Sequence, residues 1–355
     1  MSGGSGREPF LSAVMPVYNA QRYLAAALES VLAQTFRDFE LIVVDDASQD
    51  GSLEICEEFA RRDERVRLLA LEENGGAGNA RNIGAARARG TYLTFLDADD
   101  ALEPSIYQKA AGAAQEYAPD AVKFGLWEEY YAGAYIAYRK KITAAPEVLG
   151  SAEEVRRRIV DWEALPLFGY QWNTLYRREL LEAIGLQSSN EPMLEDFRYN
   201  LTFFSAARSA VMLGEAGYHY AKRGEDSLSS RHVEDYFPLH EGKVRMLLEK
   251  YGEWGLLDAV TERKIFWMYT RIVYSHLCRT MAAHGRGAAQ EALLEVRASD
   301  LFRRFAAMDF CGASRKERAL ADLLRSDRSD AVLWACRGMT VAQRHFRPLF
   351  ARFKG

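Results

Sequence analysis

The first 125 residues alternate between short apolar runs and stretches with apolar residues at helical spacing. Leu11–Met15 is a compact apolar run, after which Leu24, Ala27, Leu28, Val31 and Leu32 recur along one helical face. Strands are predicted at Phe39–Val44, Val66–Ala70 and Thr91–Leu96, with helices at Ser52–Arg61 and Asn79–Arg89 between them. This order predicts an α/β class: a mostly parallel sheet flanked by helices on both faces, with ligands beyond the carboxyl ends of the strands. Over 126–230 the pattern loosens and aromatic residues crowd in, among them Trp127, Tyr130, Tyr131, Trp162, Tyr170 and Trp172. From 232 onward the spacing is helical, over Tyr236–Tyr251, Leu256–Met281 and Ala288–Phe305. The expected organisation is a leader over 1–9, an α/β domain over 10–230 with halves meeting at 125, and a helical region over 231–355.

Composition narrows the class without naming a function. A chain of 355 residues that is 48% hydrophobic, 12% aromatic and 27% charged can bury a sizeable core, which excludes disordered, collagen-like and mucin-like chains. No apolar run is long enough for a spanning helix. The opening Met-Ser-Gly-Gly-Ser-Gly lacks an apolar signal core and reads as a flexible leader. Cys56, Cys278, Cys311 and Cys336 are far apart with no C-x-x-C pair, which fits a reducing cytoplasm. The formal charge of -4 hides an asymmetry: 12 Lys/Arg against 5 Asp/Glu in residues 301–355 give +7, leaving 34 against 45, or -11, in 1–300. A basic end on an acidic body points to contact with something anionic.

Two acidic clusters carry the candidate chemistry. Asp45-Asp46 ends one predicted strand and Asp97-Ala-Asp-Asp100 ends another. An isolated D-x-D suits a turn or a helix N-cap near Pro104 as well as it suits a divalent cation. Two such clusters at one sheet edge repel each other unless a cation or ligand compensates, which favours the cation.

The same stretch holds four motifs in order: Val14-x-Pro16-x-Tyr18-Asn19, Val44-Asp-Asp-Ala-Ser48-Gln-Asp50-Gly-Ser52, Asn74-Gly75 with Ala80-Arg81-Asn82-x-Gly84, and Asp97-Ala-Asp-Asp100. Together they resemble the successive signatures of family 2 glycosyltransferases. The likeness continues at Trp172-Asn173-x-x-Tyr176-Arg177-Arg178-Glu179, at Glu195-Asp196 and more loosely at Tyr218-x-Tyr220 with Ser227-Leu-Ser229, so it covers about 10–230. The resemblance implies the GT-A (Rossmann-like) nucleotide-sugar-binding fold, with the nucleotide in the first half of 10–230 and acceptor and catalysis in the second. It further implies an inverting, metal-dependent transfer of a sugar from a nucleotide diphosphate, UDP before others, to a hydroxyl. The acceptor would be a glycan or lipid-linked glycan of a bacterial cell-surface polysaccharide. By resemblance Pro16, Tyr18, Asn19, Asp45, Asp46 and Asn74 line the donor pocket, with a carboxylate of the Asp45/Asp46 pair accepting from the uracil N–H. Arg81 lies by the nucleotide, Asp97 by the ribose, and Asp99 with Asp97 at a Mn²⁺ or Mg²⁺ ion. Asp196 is the catalytic base, while Arg223 and Ser227 clamp the diphosphate. One departure is Ala47-Ser48-Gln49, where Gly-Ser-Thr is commoner.

The chemistry agrees with that assignment. A cation neutralises the charge that develops on a leaving diphosphate, and one carboxylate suffices to deprotonate an attacking hydroxyl in a single displacement. A double displacement would need a second carboxyl as nucleophile. From the residues alone, Asp196 serves equally as an N-cap of the helix running to Ala207. A nucleotide-sugar-binding scaffold or sensor without turnover is the alternative reading, against which the full Asp97/Asp99/Asp196 set argues. A nucleotidyltransferase would need a Gly-rich loop after the first strand, where Pro16-Val-Tyr-Asn stands instead. Gly75-Gly-Ala-Gly78 matches neither nucleotide-loop fingerprint, and no Cys/His cluster suits zinc. Trp127 and Trp172 are candidates for a sugar platform or for core packing. In Ala331–Phe353, Val332, Cys336, Met339, Phe346, Phe350 and Phe353 form one stripe beside Arg337, Arg344, Arg347, Arg352 and Lys354. That stripe suits an anionic membrane surface or a packing face, with Pro348 interrupting its last turns.

Overall fold

The computed structural model describes residues 8–191, 193–223, 236–310 and 312–345. The chain divides into two compact units, Met1–Ser229 and Ser230–Gly355. The first unit opens with β1 (Leu11–Val17), α1 (Leu24–Leu32), β2 (Phe39–Asp45), α2 (Ser52–Arg62), β3 (Val66–Ala70), α3 (Ala77–Ala85) and β4 (Tyr92–Phe95). β1 lies between β2 and β4, parallel to both, and β3 adds in parallel to the far edge of β2. Every residue of β2 is buried, and so is nearly all of β1, because helices cover the sheet on both sides of a strand with no wet face. α1 buries Leu24, Ala27, Leu28 and Val31, the face that the spacing predicts.

The second half is mixed rather than parallel. It contains β5 (Ala101–Leu102), α4 (Ile106–Tyr117), β6 (Ala121–Ala132), β7 (Tyr135–Ile142), β8 (Glu147–Leu149), α5 (Ala152–Ala164), β9 (Thr174–Arg177), α6 (Arg178–Ala183), α7 (Glu195–Ala206) and β10 (Ala210–Lys222). Among the described residues the sheet has ten strands, in the order β3-β2-β1-β4-β9-β6-β10-β5, with β7 on β6 and β8 on β10. β9 joins the halves by pairing antiparallel to both β4 and β6, while β10 runs parallel to β6. The GT-A expectation holds in this form, with the antiparallel strands in the half where the periodicity weakens. The N-cap of α4 is Ser105 and that of α7 is Leu194, neither with a side-chain cap bond. Neither acidic motif therefore serves as a helix cap.

The second unit is helical: α8 (Tyr236–Glu253), α9 (Ala259–Ala298), α10 (Asp300–Ala306), α11 (Arg315–Arg325) and α12 (Ser329–His345). α9 breaks at Gly285, whose φ of 84° suits glycine, between the two helices predicted from periodicity. The second of those stops at Ser299, whose hydroxyl caps α10 by accepting from the Phe302 N–H at 3.1 Å. In α12, Val332 and Cys336 are fully buried and Cys278 Sγ approaches the Cys336 carbonyl at 3.6 Å, so this part of the apolar stripe is a packing face. Trp334 and Val341 are exposed on its other side. Phe346, Phe350, Phe353, Arg347, Arg352 and Lys354 lie outside the described residues. Among the described residues no helix is long and apolar enough to cross a membrane, and Cys56, Cys278 and Cys336 are buried.

Candidate active site

The carboxyl ends of β1, β2 and β4 bring the predicted motifs to one edge. Pro16 on β1 sits opposite Val44 on β2, and Val17 opposite Asp45. Beyond β1 the chain turns at Asn19, φ 49°, with Tyr18 about half exposed. Asn19 Oδ1 accepts from the Gln49 N–H at 2.8 Å and the Asn19 N–H donates to Ser48 Oγ at 3.1 Å, so the first and second motifs hold each other. Ala47 is left-handed at φ 57°, which explains why glycine is the commoner residue there; a Cβ in that region costs about 1 kcal/mol. The turn lets the Ser48 N–H donate to Asp45 Oδ2 at 3.1 Å.

The two aspartates of the second motif do different work. Asp46 is consumed by the following loop: its carboxylate accepts from the Gly75 and Gly76 N–H groups, both at 2.8 Å, and its carbonyl accepts from Asn74 Nδ2 at 3.1 Å. Asp45 Oδ1 is buried without a hydrogen-bond partner among the described residues. The Gly78 N–H in turn donates to Asn190 Oδ1 at 2.9 Å. The N–H groups of Gly75, Gly76 and Gly78 thus point at protein oxygens and form no phosphate cradle.

The Asp97–Asp100 motif splits three ways. Asp97 Oδ1 accepts from Arg81 at 2.9 Å, and its backbone N–H donates to the Tyr218 hydroxyl at 3.1 Å. Asp99 is half exposed and lies 3.3 Å from Arg223, whose guanidinium stacks 4.0 Å above the Tyr23 ring. Burial and the neighbouring Asp97 charge raise the Asp99 carboxyl, and Arg223 partly offsets them. Asp100 turns inward and accepts from the Ala221 N–H at 2.8 Å; burial, then Asp99 and Asp97, hold it well above the usual carboxylate range. It ties the end of β4 to β10. Ser227 lies outside the described residues.

Asp196 occupies the first turn of α7, with 17% of its side chain exposed. Burial raises its carboxyl to about 7, against the lowering pull of Arg81 at 3.9 Å and with smaller upward contributions from Glu195 and Asp97. The Gln171 N–H reaches its Oδ2 at 3.4 Å, while Oδ1 has no hydrogen-bond partner among the described residues. Glu195 Oε2, Arg81 Nε and Gln171 Nε2 are also buried without one.

The aromatic residues divide on geometry. Trp172 is sandwiched between Tyr218 at 3.8 Å and Tyr170 at 4.4 Å, so both of its faces are covered and it cannot stack on a sugar. Asn173 is structural as well: it accepts from buried Lys123 at 3.0 Å and donates to the Phe124 and Leu167 carbonyls. Trp127 carries Arg139 and Lys141 each 5.7 Å from its ring centre. Lys123, Gln171 and Asn190 escaped the sequence reading. Lys123 sits in an apolar strand run, and the other two act through backbone contacts that leave no periodic trace.

The profile of Glycosyl transferase family 2 matches residues 12–185. An uncharacterized glycosyltransferase, EpsJ of Bacillus subtilis (strain 168), is 30% identical over 261 residues, 72% of this chain and 73% of that protein. The putative teichuronic acid biosynthesis glycosyltransferase TuaG of the same organism is 44% identical over 93 residues, 26% of this chain and 37% of TuaG. Among solved structures, residues 1–349 of S. aureus TarS in complex with UDP-GlcNAc superpose with a TM-score of 0.60 at 21% identity, covering 94% of this chain and 91% of that one. The TarS likeness speaks for the fold, and the EpsJ likeness, extending past the profile, carries the family: this chain belongs to the family 2 glycosyltransferases.

Proposed function

We propose that the protein moves a sugar from a UDP-sugar, with inversion and with a divalent cation, to a hydroxyl of a growing cell-surface glycan. The observation that carries this reading is the Asp196 carboxylate: largely buried, raised to about 7, with Oδ1 lacking a hydrogen-bond partner. Such a group suits general-base work near neutral pH. In the proposed step the acceptor hydroxyl gives its proton to Asp196 Oδ1 as its oxygen attacks the anomeric carbon. The bond from that carbon to the diphosphate oxygen breaks in the same displacement.

Asp99 and Asp97 are the residues that would hold Mn²⁺ or Mg²⁺. They fit, because the Asp97 charge helps raise the Asp99 carboxyl and Asp99 still faces solvent. Among the described residues no three His, Cys, Asp or Glu form a metal cage, so the remaining ligands would be diphosphate oxygens, as is usual for Mg²⁺. When bound, the cation supplies Lewis-acid neutralisation of the leaving diphosphate. Asp45, with its unpartnered Oδ1, is the better placed of the aspartate pair to accept from uracil, since both Asp46 oxygens are engaged.

A panel of UDP-, GDP- and dTDP-sugars with and without Mn²⁺ tests the donor; binding without turnover across many acceptors would favour a scaffold. Asp99→Asn should weaken UDP·Mn²⁺ binding by more than about tenfold in calorimetry, since it removes a charged ligand. Unchanged affinity would contradict the cation assignment. Residues 301–355, at +7, would face an anionic membrane carrying a lipid-linked acceptor. The protein should then sediment with anionic but not with neutral liposomes; binding to neither removes the membrane from the reading.

A further inference from the structure

Arg81 is positioned by an unusually close fit of its helix. At Gly78 an added Cβ would lie 2.3 Å from the Ser189 carbonyl oxygen, and at Gly84 one would lie 2.4 Å from a Val14 methyl. Both glycines let α3 press against its neighbours, and Asn82 adds a two-way tie to the Ser188 backbone at 2.7 and 2.8 Å. Arg81, between these anchors, is 7% exposed. One terminal nitrogen meets Asp97 at 2.9 Å and the other meets Asp196 at 3.9 Å. To reach an open nucleotide, this guanidinium would have to leave two carboxylates and a buried site.

We propose that Arg81 is a positioning residue: one buried guanidinium, shared by Asp97 and Asp196, fixes the base relative to the donor side of the site and favours its ionised form. The inference rests on the reading of Asp196 as general base and adds what sets that base. The groups facing Asp196 from the packed elements are Arg81 from α3, Asp97 after β4, Lys123 from β6, Tyr170 and Tyr176, and Glu195 and Tyr199 from α7 itself. The two cations differ in role. The Lys123 ammonium is bound to Asn173 at 3.0 Å and Thr174 at 2.6 Å, and burial lowers it to about 7, so near neutrality it is only part-charged. Arg81 is the permanent charge beside the base. The sharing also couples the two halves of the site. When Asp97 engages a donor hydroxyl or a cation, its hold on Arg81 weakens and more of the guanidinium charge acts on Asp196.

The test uses a readout that needs no turnover. In full-length protein labelled with ¹³C at the aspartate carboxyls, the Asp196 resonance is assigned by its loss in Asp196→Asn and titrated against pH. Replacing Arg81 by Met should move that titration upward by about one pH unit or more, because the charge that lowers it is gone. Arg81→Lys should move it by less than half as much, and both variants should stay folded by thermal melt. The acid limb of kcat/KM should move with the resonance. At neutral pH, Arg81→Met should lose about fivefold or more in kcat while UDP·Mn²⁺ affinity changes less than about twofold. An Asp196 titration that stays put in both variants overturns the inference. A loss of UDP affinity equal to the loss of rate also overturns it, making Arg81 a donor contact. If the unmodified protein turns over no nucleotide sugar while the resonance still shifts, the general-base reading fails and the electrostatic link stands.

Discussion

Asp196→Asn should lower sugar transfer by about three orders of magnitude at neutral pH and raise the stability of the protein at the same time. The two effects have one origin. Burial holds the Asp196 carboxyl at about 7, above its ordinary 3.8, so the folded state binds a proton that the unfolded chain releases. The sign follows from that difference. The favourable contribution of the raised group is full below pH 3.8 and is lost as the pH rises through about 7. Above pH 7 the fold carries a buried charge, only partly offset by Arg81, that an amide does not impose. Counting the part of the side chain that still meets water, the amide should stabilise by on the order of 2 kcal/mol at pH 8 and by much less at pH 5. Activity of the parent enzyme should rise with pH on an acid limb near 7, which the variant lacks. Thermal melts of both proteins at pH 5 and 8, with donor-turnover assays across that range, check the argument. A variant that loses activity and stability together would make Asp196 a structural residue.

Much of the site was legible in the sequence, because its residues lie at the ends of strongly patterned strands. Asp45-Asp46 and Asp97–Asp100 follow continuous apolar runs, and the parallel pairing of β1 with β2 and β4 brings those runs to one edge. What each carboxylate does was not legible, since neighbours in sequence turn to different partners. Asp46 braces the Gly75–Gly76 backbone while Asp45 keeps an unpartnered oxygen; Asp99 faces solvent while Asp100 is fully enclosed against β10. Side-chain direction at the end of a strand depends on the turn that follows, and composition does not record it. The second half reads poorly for another reason. β6, β9 and β10 pair partly antiparallel and partly parallel, so their burial follows neither strict alternation nor a continuous apolar run. Trp172 shows the limit most clearly: a ring in a signature motif suggests a ligand platform, and only the Tyr170 and Tyr218 stacks show that both its faces are covered.

Glu40→Ala should act in the opposite sense to Asp196→Asn, costing about 3 kcal/mol of stability without altering a residue of the site. Glu40 sits on β2 with 3% of its surface exposed. Its carboxylate accepts from Ser12 Oγ at 2.7 Å, from Arg67 at 2.7 Å, and from the Arg89 backbone N–H and guanidinium at 2.8 Å each. These bonds fasten β1, β3 and the chain entering β4 to β2, which makes Glu40 the tie of the parallel half. Burial by itself would raise the carboxyl, but Arg89, Arg67 and Ser12 together outweigh it and hold the group below 4.5. By the same linkage its stabilisation is present above pH 4.5 and is lost as the pH falls through its folded value. Alanine removes the acceptor for all three partners and leaves a buried Ser12 hydroxyl with its bonds to the Arg89 and Gly90 N–H groups alone. Chemical denaturation at pH 7 should show the full loss, and at pH 3.5 the gap between parent and variant should narrow. A gap that does not change with pH would mean that Glu40 acts by packing rather than by charge. The buried carboxylate that the fold satisfies completely and the one that it leaves partly unsatisfied then differ in the sign of their contribution. That difference is the physical mark that should separate a carboxylate the fold uses from one that a reaction would use.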